Sequence, residues 1–169
     1  LAGLRVVWLL ILIVAATLTV SVLQLFESSL EAVTALALFI PLLVGTGGNV
    51  GAQAATSAVR ALAVGEVRPS DALRVAWRES RVGLLLGLVL GVLALVAGWI
   101  VAGVLVGITV GISVVLVCIW AATVGSLMPL MAKSMNIDPA VISAPLVTTL
   151  VDATGLVIYF VVAGLVLGL

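Results

Sequence analysis

The chain has 169 residues, 64% of them hydrophobic and 8% charged, with 7 basic and 7 acidic side chains that cancel to zero net charge. A soluble domain is nearer half apolar and a quarter charged, so a chain with a mean hydropathy of +1.49 is an integral membrane protein, and its balanced charge leaves no basic footprint for nucleic acid. There is no histidine, and the one cysteine, Cys118, lies in an apolar run, which removes the usual general base, the commonest transition-metal ligand and any disulfide framework.

A membrane-spanning helix takes about 20 apolar residues. Five stretches qualify: Leu4–Leu25, Ala32–Ala63 (long and interrupted), Val82–Val101, Val104–Met131 and Ala140–Leu167. The expected fold is all-α, with five transmembrane helices forming a single permeation domain over residues 1–169. The apolar–polar alternation of a membrane β-barrel is absent. The first run is too long for a signal peptide and lacks a small-residue cleavage site. Because the chain opens on Leu1, it is expected to be a portion of something longer.

The charges orient these spans. Arg5 precedes the first; Arg60, Arg68, Arg74, Arg78 and Arg81 crowd the second connection; Lys133 lies between the fourth and fifth. The connection with Glu27 and Glu31 has no Lys or Arg, and the turn near Gly98–Gly103 has no charge. Every basic residue therefore falls on one side, which the positive-inside rule makes cytoplasmic, with the amino end inside and the carboxyl end outside. Ser28 and Glu31 have capping-box spacing before the second span, and Glu27 and Glu31 could also draw cations to an outer mouth. In "GEVRPSDALRVAWRESR", Pro69 stops one helix and Ser70 or Asp71 can cap the next. Arg74, Arg78 and Arg81 share a helical face there, read either as an interfacial helix with a headgroup-facing stripe or as a docking surface for a cytosolic domain. Gly83, Gly87 and Gly91, and likewise Gly103, Gly107 and Gly111, repeat at fours and are read as helix-packing contacts.

"PLLVGTGGNVGAQAAT", Pro41 to Thr56, is the polar exception in the second span. Thr46, Asn49, Gln53 and Thr56 step by three, four and three, which keeps them on one face of a helix. Pro41, Gly45, Gly47 and Gly48 are expected to loosen the helix just before that face. Irregular backbone survives in hydrocarbon only against protein or a watery cavity, and freed carbonyls there are hard oxygen ligands suited to Mg2+ or Ca2+. The alternative is a glycine-rich helix crossing with Asn49 and Gln53 as interhelical glue. A phosphate loop is excluded, since the segment lacks its lysine and flanking strand.

Asp152 is the second exception. It lies about 18 Å along the fifth span at 1.5 Å per residue, near the bilayer centre. An acid there costs about 2.5–3.5 kcal/mol, and such residues face a cavity, an ion path or a partner charge. No Lys or Arg lies at that depth, so a cation is the simplest partner and a proton the next. Thr148 precedes it by one turn and Ala144 by two, so one face offers a carboxylate, a hydroxyl and, where Pro145 disturbs the helix start, a carbonyl. Asp138, before Pro139 at the boundary, reads as a helix N-cap. One carboxylate is thin coordination for a divalent ion, and a two-fold dimer would bring two copies of Asp152 to one axis. A wide polar site with few direct ligands suits hydrated Mg2+, which dehydrates reluctantly.

These residues are similar to a known family. "PLLVGTGGNVGAQAATSAVRALAVGEV" and "DPAVISAPLVTTLVDATGLVIYF" resemble the transmembrane domain of the MgtE-type magnesium channels, across essentially the whole chain. The resemblance implies five helices per subunit, a homodimer with the pore between subunits, a bacterial or archaeal plasma-membrane location, and Mg2+ passing down its gradient, with Mn2+, Co2+, Ni2+ or Ca2+ able to share the path. The family's pore acid falls on Asp152 and its Gly-Asn segment on Gly48 and Asn49. Ala52 and Ala144 stand where relatives often carry polar residues, though a backbone carbonyl at Ala144 would remain. Cytosolic regulatory domains usual in the family are not in this sequence. The rival reading is a proton- or sodium-coupled transporter, which would also use a broken helix and a midplane acid. An enzyme is not expected: the histidines, zinc ligands or paired aspartates of an intramembrane protease are missing.

Overall fold

The computed structural model describes residues 2–139 and 144–169, with side chains described from Val6 onward. Arg5's side chain and the expected start of the last span at Ala140 lie outside the described residues. In chain order the elements are α1 (Ala2–Leu25), the short α2 (Glu27–Ala32), a 3-10 segment (Thr34–Phe39), α3 (Ile40–Ala63), a second 3-10 turn (Pro69–Asp71), α4 (Ala72–Ala102), α5 (Val104–Ser134) and α6 (Ala144–Leu167). Among the described residues there is no strand, and 5 helices are long and apolar enough to cross a membrane. All the backbone hydrogen bonds of such a helix stay within one segment, which hydrocarbon demands.

α5 is the most enclosed of the long helices and α1 the least. Val110, Val114, Val117, Cys118 and Ala121 of α5 are all buried in the central core, where they meet Leu43, Val50 and Ala54 of α3 and Val147, Val151 and Leu156 of α6. α1 packs on α6. At the end of α1, Phe26 stacks on Phe160 of α6 with ring centroids 4.9 Å apart and planes 13° from parallel.

α4 and α5 form a tight antiparallel pair, because the turn between them is a single residue, Gly103, at φ 92. That left-handed conformation suits glycine, which has no Cβ to clash. A β-carbon built on Gly98 would lie 2.8 Å from Gly107 Cα, and one on Gly87 2.9 Å from Val115 Cα. Gly83, Gly87, Gly91, Gly107 and Gly111 are thus packing contacts, as their spacing suggests, whereas Gly103, read with them, is the turn residue and has nothing within 4 Å of an added β-carbon.

Four expectations need correction. α3 is an unbroken α-helix through Gly45, Gly47 and Gly48. A glycine costs a helix about 1 kcal/mol, whereas each backbone group left unpaired in hydrocarbon costs several, so continuity wins. The irregular backbone lies farther out, at Val33 (φ -135, ψ 82) and the 3-10 segment. There the Tyr159 hydroxyl donates to the Leu36 carbonyl at 3.0 Å, a buried tie from α6. The Ser28–Glu31 capping box does not form: both residues lie inside α2, which has no side-chain cap. Finally, α4 begins at Ala72 rather than near Val82, so the arginine stripe is the first turns of a 31-residue spanning helix and not a separate interfacial one. Asp71 occupies the N-cap position, but its carboxylate accepts from the Arg68 backbone N–H at 2.9 Å instead of capping α4.

Candidate ion pathway

α3 and α6 run antiparallel and close together. Gly51 faces Val147 and Val151, Gly47 faces Val151, and Gly48 lies under Thr148 and Asp152. A β-carbon built on Gly48 would stand 3.4 Å from Asp152 Oδ1 and 3.4 Å from Thr148 Cγ2. The lack of a side chain at Gly48 is therefore what seats the carboxyl against the α3 backbone. Of the glycines expected to break the helix, Gly48 instead lies under the acid, Gly47 under Val117 and Val151, and Gly45 faces open space.

Asp152 Oδ1 is buried and accepts no hydrogen bond among the described residues. The residue as a whole is only partly buried, so the carboxyl stands at the margin of the single subunit. A buried acceptor without a partner is costly, more so if charged, and calls for an ion, a water or a proton. Asp152 takes part in no ion pair among the described residues.

The other residues fall into two groups. Asn49, Gln53 and Thr56 are exposed on the subunit, with Thr46 half-buried on the same side and Gly45 exposed beside it. Ala52, Gln53, Thr56 and Ser57 line a shallow hollow of about 420 Å³. Ser57 was not singled out from the sequence, although it follows Gln53 by four residues and extends the same stripe. The Thr56 hydroxyl donates to its own Ala52 carbonyl at 2.8 Å. Polar groups at spanning depth do not belong against lipid, so this face is built to meet water or protein.

The second group lies at the start of α6. Thr148 and Thr149 both donate to the Pro145 carbonyl, at 2.9 Å and 2.8 Å. Those donations engage the Pro145 carbonyl and not that of Ala144, which is the carbonyl expected to face the ion path. Pro145 is the second residue of α6, where a backbone N–H would have no partner within the helix in any case. Thr148 sits beside Asp152 as the sequence suggests, one turn away; Ala144 is half-buried another turn back. Asp138 has a partner, but its capping of the last span falls at residues outside the described ones. Among the described residues no group of three or more His, Cys, Asp or Glu side chains could hold a metal ion. The Asp152 carboxylate thus lies beside Thr148 and the Gly48 backbone.

The family model for MgtE, described as a divalent cation transporter, matches residues 40–162, which include α3, most of α6 and Asp152. The chain is 48% identical over 163 residues, or 96% of its length, to a magnesium transporter MgtE of Thermus thermophilus. It is 34% identical over 97% of its length to one of Enterococcus faecalis, and 34% identical over 94% to one of Bacillus subtilis. In each case the chain spans 36% of the relative's length. With its five apolar helices and a match that covers the helices flanking Asp152, this multi-pass membrane protein belongs to the MgtE family.

Proposed function

We propose that this chain carries Mg2+ across the membrane by passive, channel-like permeation, with the ion largely hydrated as it passes Asp152. The observation that carries the proposal is the orphaned Asp152 Oδ1, seated on Gly48 at spanning depth and in no ion pair among the described residues. The names of its relatives, magnesium transporters, give the ion. A single carboxylate holds a hydrated divalent ion loosely enough to release it. At about 5 Å through water, one full charge attracts a 2+ ion by about 1.7 kcal/mol, somewhat more than tenfold in occupancy.

The pore lies between two copies of the chain in this reading. The exposed polar stripe of Asn49, Gln53, Thr56 and Ser57 then faces its counterpart instead of lipid, and two Asp152 carboxylates balance the 2+ charge. Asn49 and Thr148 supply oxygens that hydrogen-bond the ion's water shell, while Gly45, Thr46, Gly47 and Gly48 shape the wall.

The test is Mg2+ uptake by proteoliposomes holding the chain, with and without a pH gradient. Asp152→Asn should insert and fold normally and lose uptake by tenfold or more. Asn49→Ala should lose less, because a neutral amide exerts a weaker field than a carboxylate. Undiminished uptake by folded Asp152→Asn would sink the assignment. Uptake that requires a proton or sodium gradient would favour the coupled transporter.

A further inference from the structure

We infer that the first three turns of α4 form a binding site for anionic phospholipid headgroups at the arginine-bearing surface of the bilayer. The inference is independent of the ion path. Arg74, Arg78 and Arg81 lie within about 60° of arc at about 100° per residue. Arg81 stands in line with Leu84, Leu85 and Leu88, which are exposed on the outward face of the same helix. From Val82 to Ala102 no charged residue follows. The guanidinium groups therefore sit where the lipid-facing stripe ends and headgroups begin.

Two large side chains lie on the adjoining flank, Trp77 about 40° round the helix from Arg81 and Leu73 about 40° beyond it. Leu73 is 84% and Trp77 68% exposed, one turn apart, and both call for an apolar neighbour. Tryptophan at such a boundary sits at headgroup level, with its ring toward the acyl chains. A soluble partner could match the arginines but would leave Leu73 and Trp77 to be covered separately; a phospholipid meets both with one molecule.

The charge balance of the patch is favourable to an anion. Arg74 and Arg81 make no ion pair or hydrogen bond among the described residues. Arg78 reaches Glu79 at 3.3 Å, with its side chain still 67% exposed. The Asp71 carboxylate is engaged by the Arg68 N–H. Glu66 and Asp71 line a hollow with Arg74 and Arg78, and so offset part of the positive field on that flank only. Arg81 has no carboxylate in its surroundings that the structure pairs with it. A planar guanidinium presents a fork of N–H donors that matches phosphate oxygens two at a time, which suits a phosphodiester better than a point charge would.

Native mass spectrometry of the purified chain, extracted into detergent with mixed phosphatidylglycerol and phosphatidylcholine, tests this directly. The wild-type chain should retain phosphatidylglycerol preferentially, and less so as salt is raised. Arg74→Gln, Arg78→Gln and Arg81→Gln combined should weaken that preference about a hundredfold, roughly fivefold per guanidinium. Arg60→Gln, on a different helix, should leave it unchanged. If the triple variant fails to fold by circular dichroism, Arg81→Gln alone carries the test, with the fivefold loss expected. A wild-type chain without headgroup preference, or a folded variant that keeps it, overturns the inference. The latter is the outcome for a stripe that docks a soluble polypeptide.

Discussion

Between α4 and α5, glycine brings backbone against backbone; between α3 and α6, it makes room for side chains. On the first interface Gly83 lies under Ile119, Gly87 under Val115 and Gly98 under Gly107, so that any β-carbon would meet main chain within 3.0 Å. On the second, Gly48 lies under a carboxyl and a threonine at ordinary van der Waals distance, while Gly45, three residues earlier, faces open space outside the interface. The same residue type thus builds a rigid, apolar pair of helices on one side of the bundle. On the other it builds a surface on which a charged group can rest. Main chain cannot rotate aside as a side chain can, which is why the first interface tolerates so little change.

The comparison is most sharply tested by adding one methyl group at a time. Gly98→Ala should destabilise the bundle: overpacking against a backbone costs about 1–3 kcal/mol, while the gain in helix propensity is at most about 1 kcal/mol. Thermal unfolding followed by circular dichroism in detergent reads the loss. Gly48→Ala should leave stability within about 0.5 kcal/mol of the parent. Its methyl would rest on Asp152 Oδ1 in ordinary contact and screen that oxygen from water, so Mg2+ uptake should fall severalfold, less than for Asp152→Asn. Gly45→Ala should be the mildest, neutral or stabilising by a few tenths of a kcal/mol, since nothing lies within 4 Å of the new carbon. If Gly48→Ala and Gly98→Ala unfold at the same lowered temperature, the distinction between the two interfaces is lost.

One tie lies outside both interfaces. The Tyr159 hydroxyl holds the Leu36 carbonyl in the 3-10 segment, deep in the core. Tyr159→Phe removes the donor and leaves that carbonyl without it, at a cost of about 1–3 kcal/mol. Faster hydrogen exchange confined to residues 34–39 is the expected signature. Unchanged exchange there would show that the 3-10 segment holds without the tie.

Much of this molecule could be read before any fold was seen. Apolar runs separated by charge specify spanning helices because hydrocarbon offers the backbone no other partner. Asp152 stood out for the same reason: an acid at that depth is too costly to be incidental. The stripe of Asn49, Gln53 and Thr56 followed from helical periodicity. Local sequence was misleading where it weighed glycine by its behaviour in water. The expected break at Gly45–Gly48 is a straight helix, and the real irregularity lies at Val33 and Thr34–Phe39, in an apolar stretch without proline or glycine.

Composition and periodicity, then, determined the number of spans, the polar face and the acid, because solvation by lipid acts on each residue where it stands. Only the tertiary structure decided that Asp152 lies over Gly48 and that Gly98 and Gly107 touch. Those facts depend on the antiparallel register of one helix against another, which is set by how two surfaces interlock.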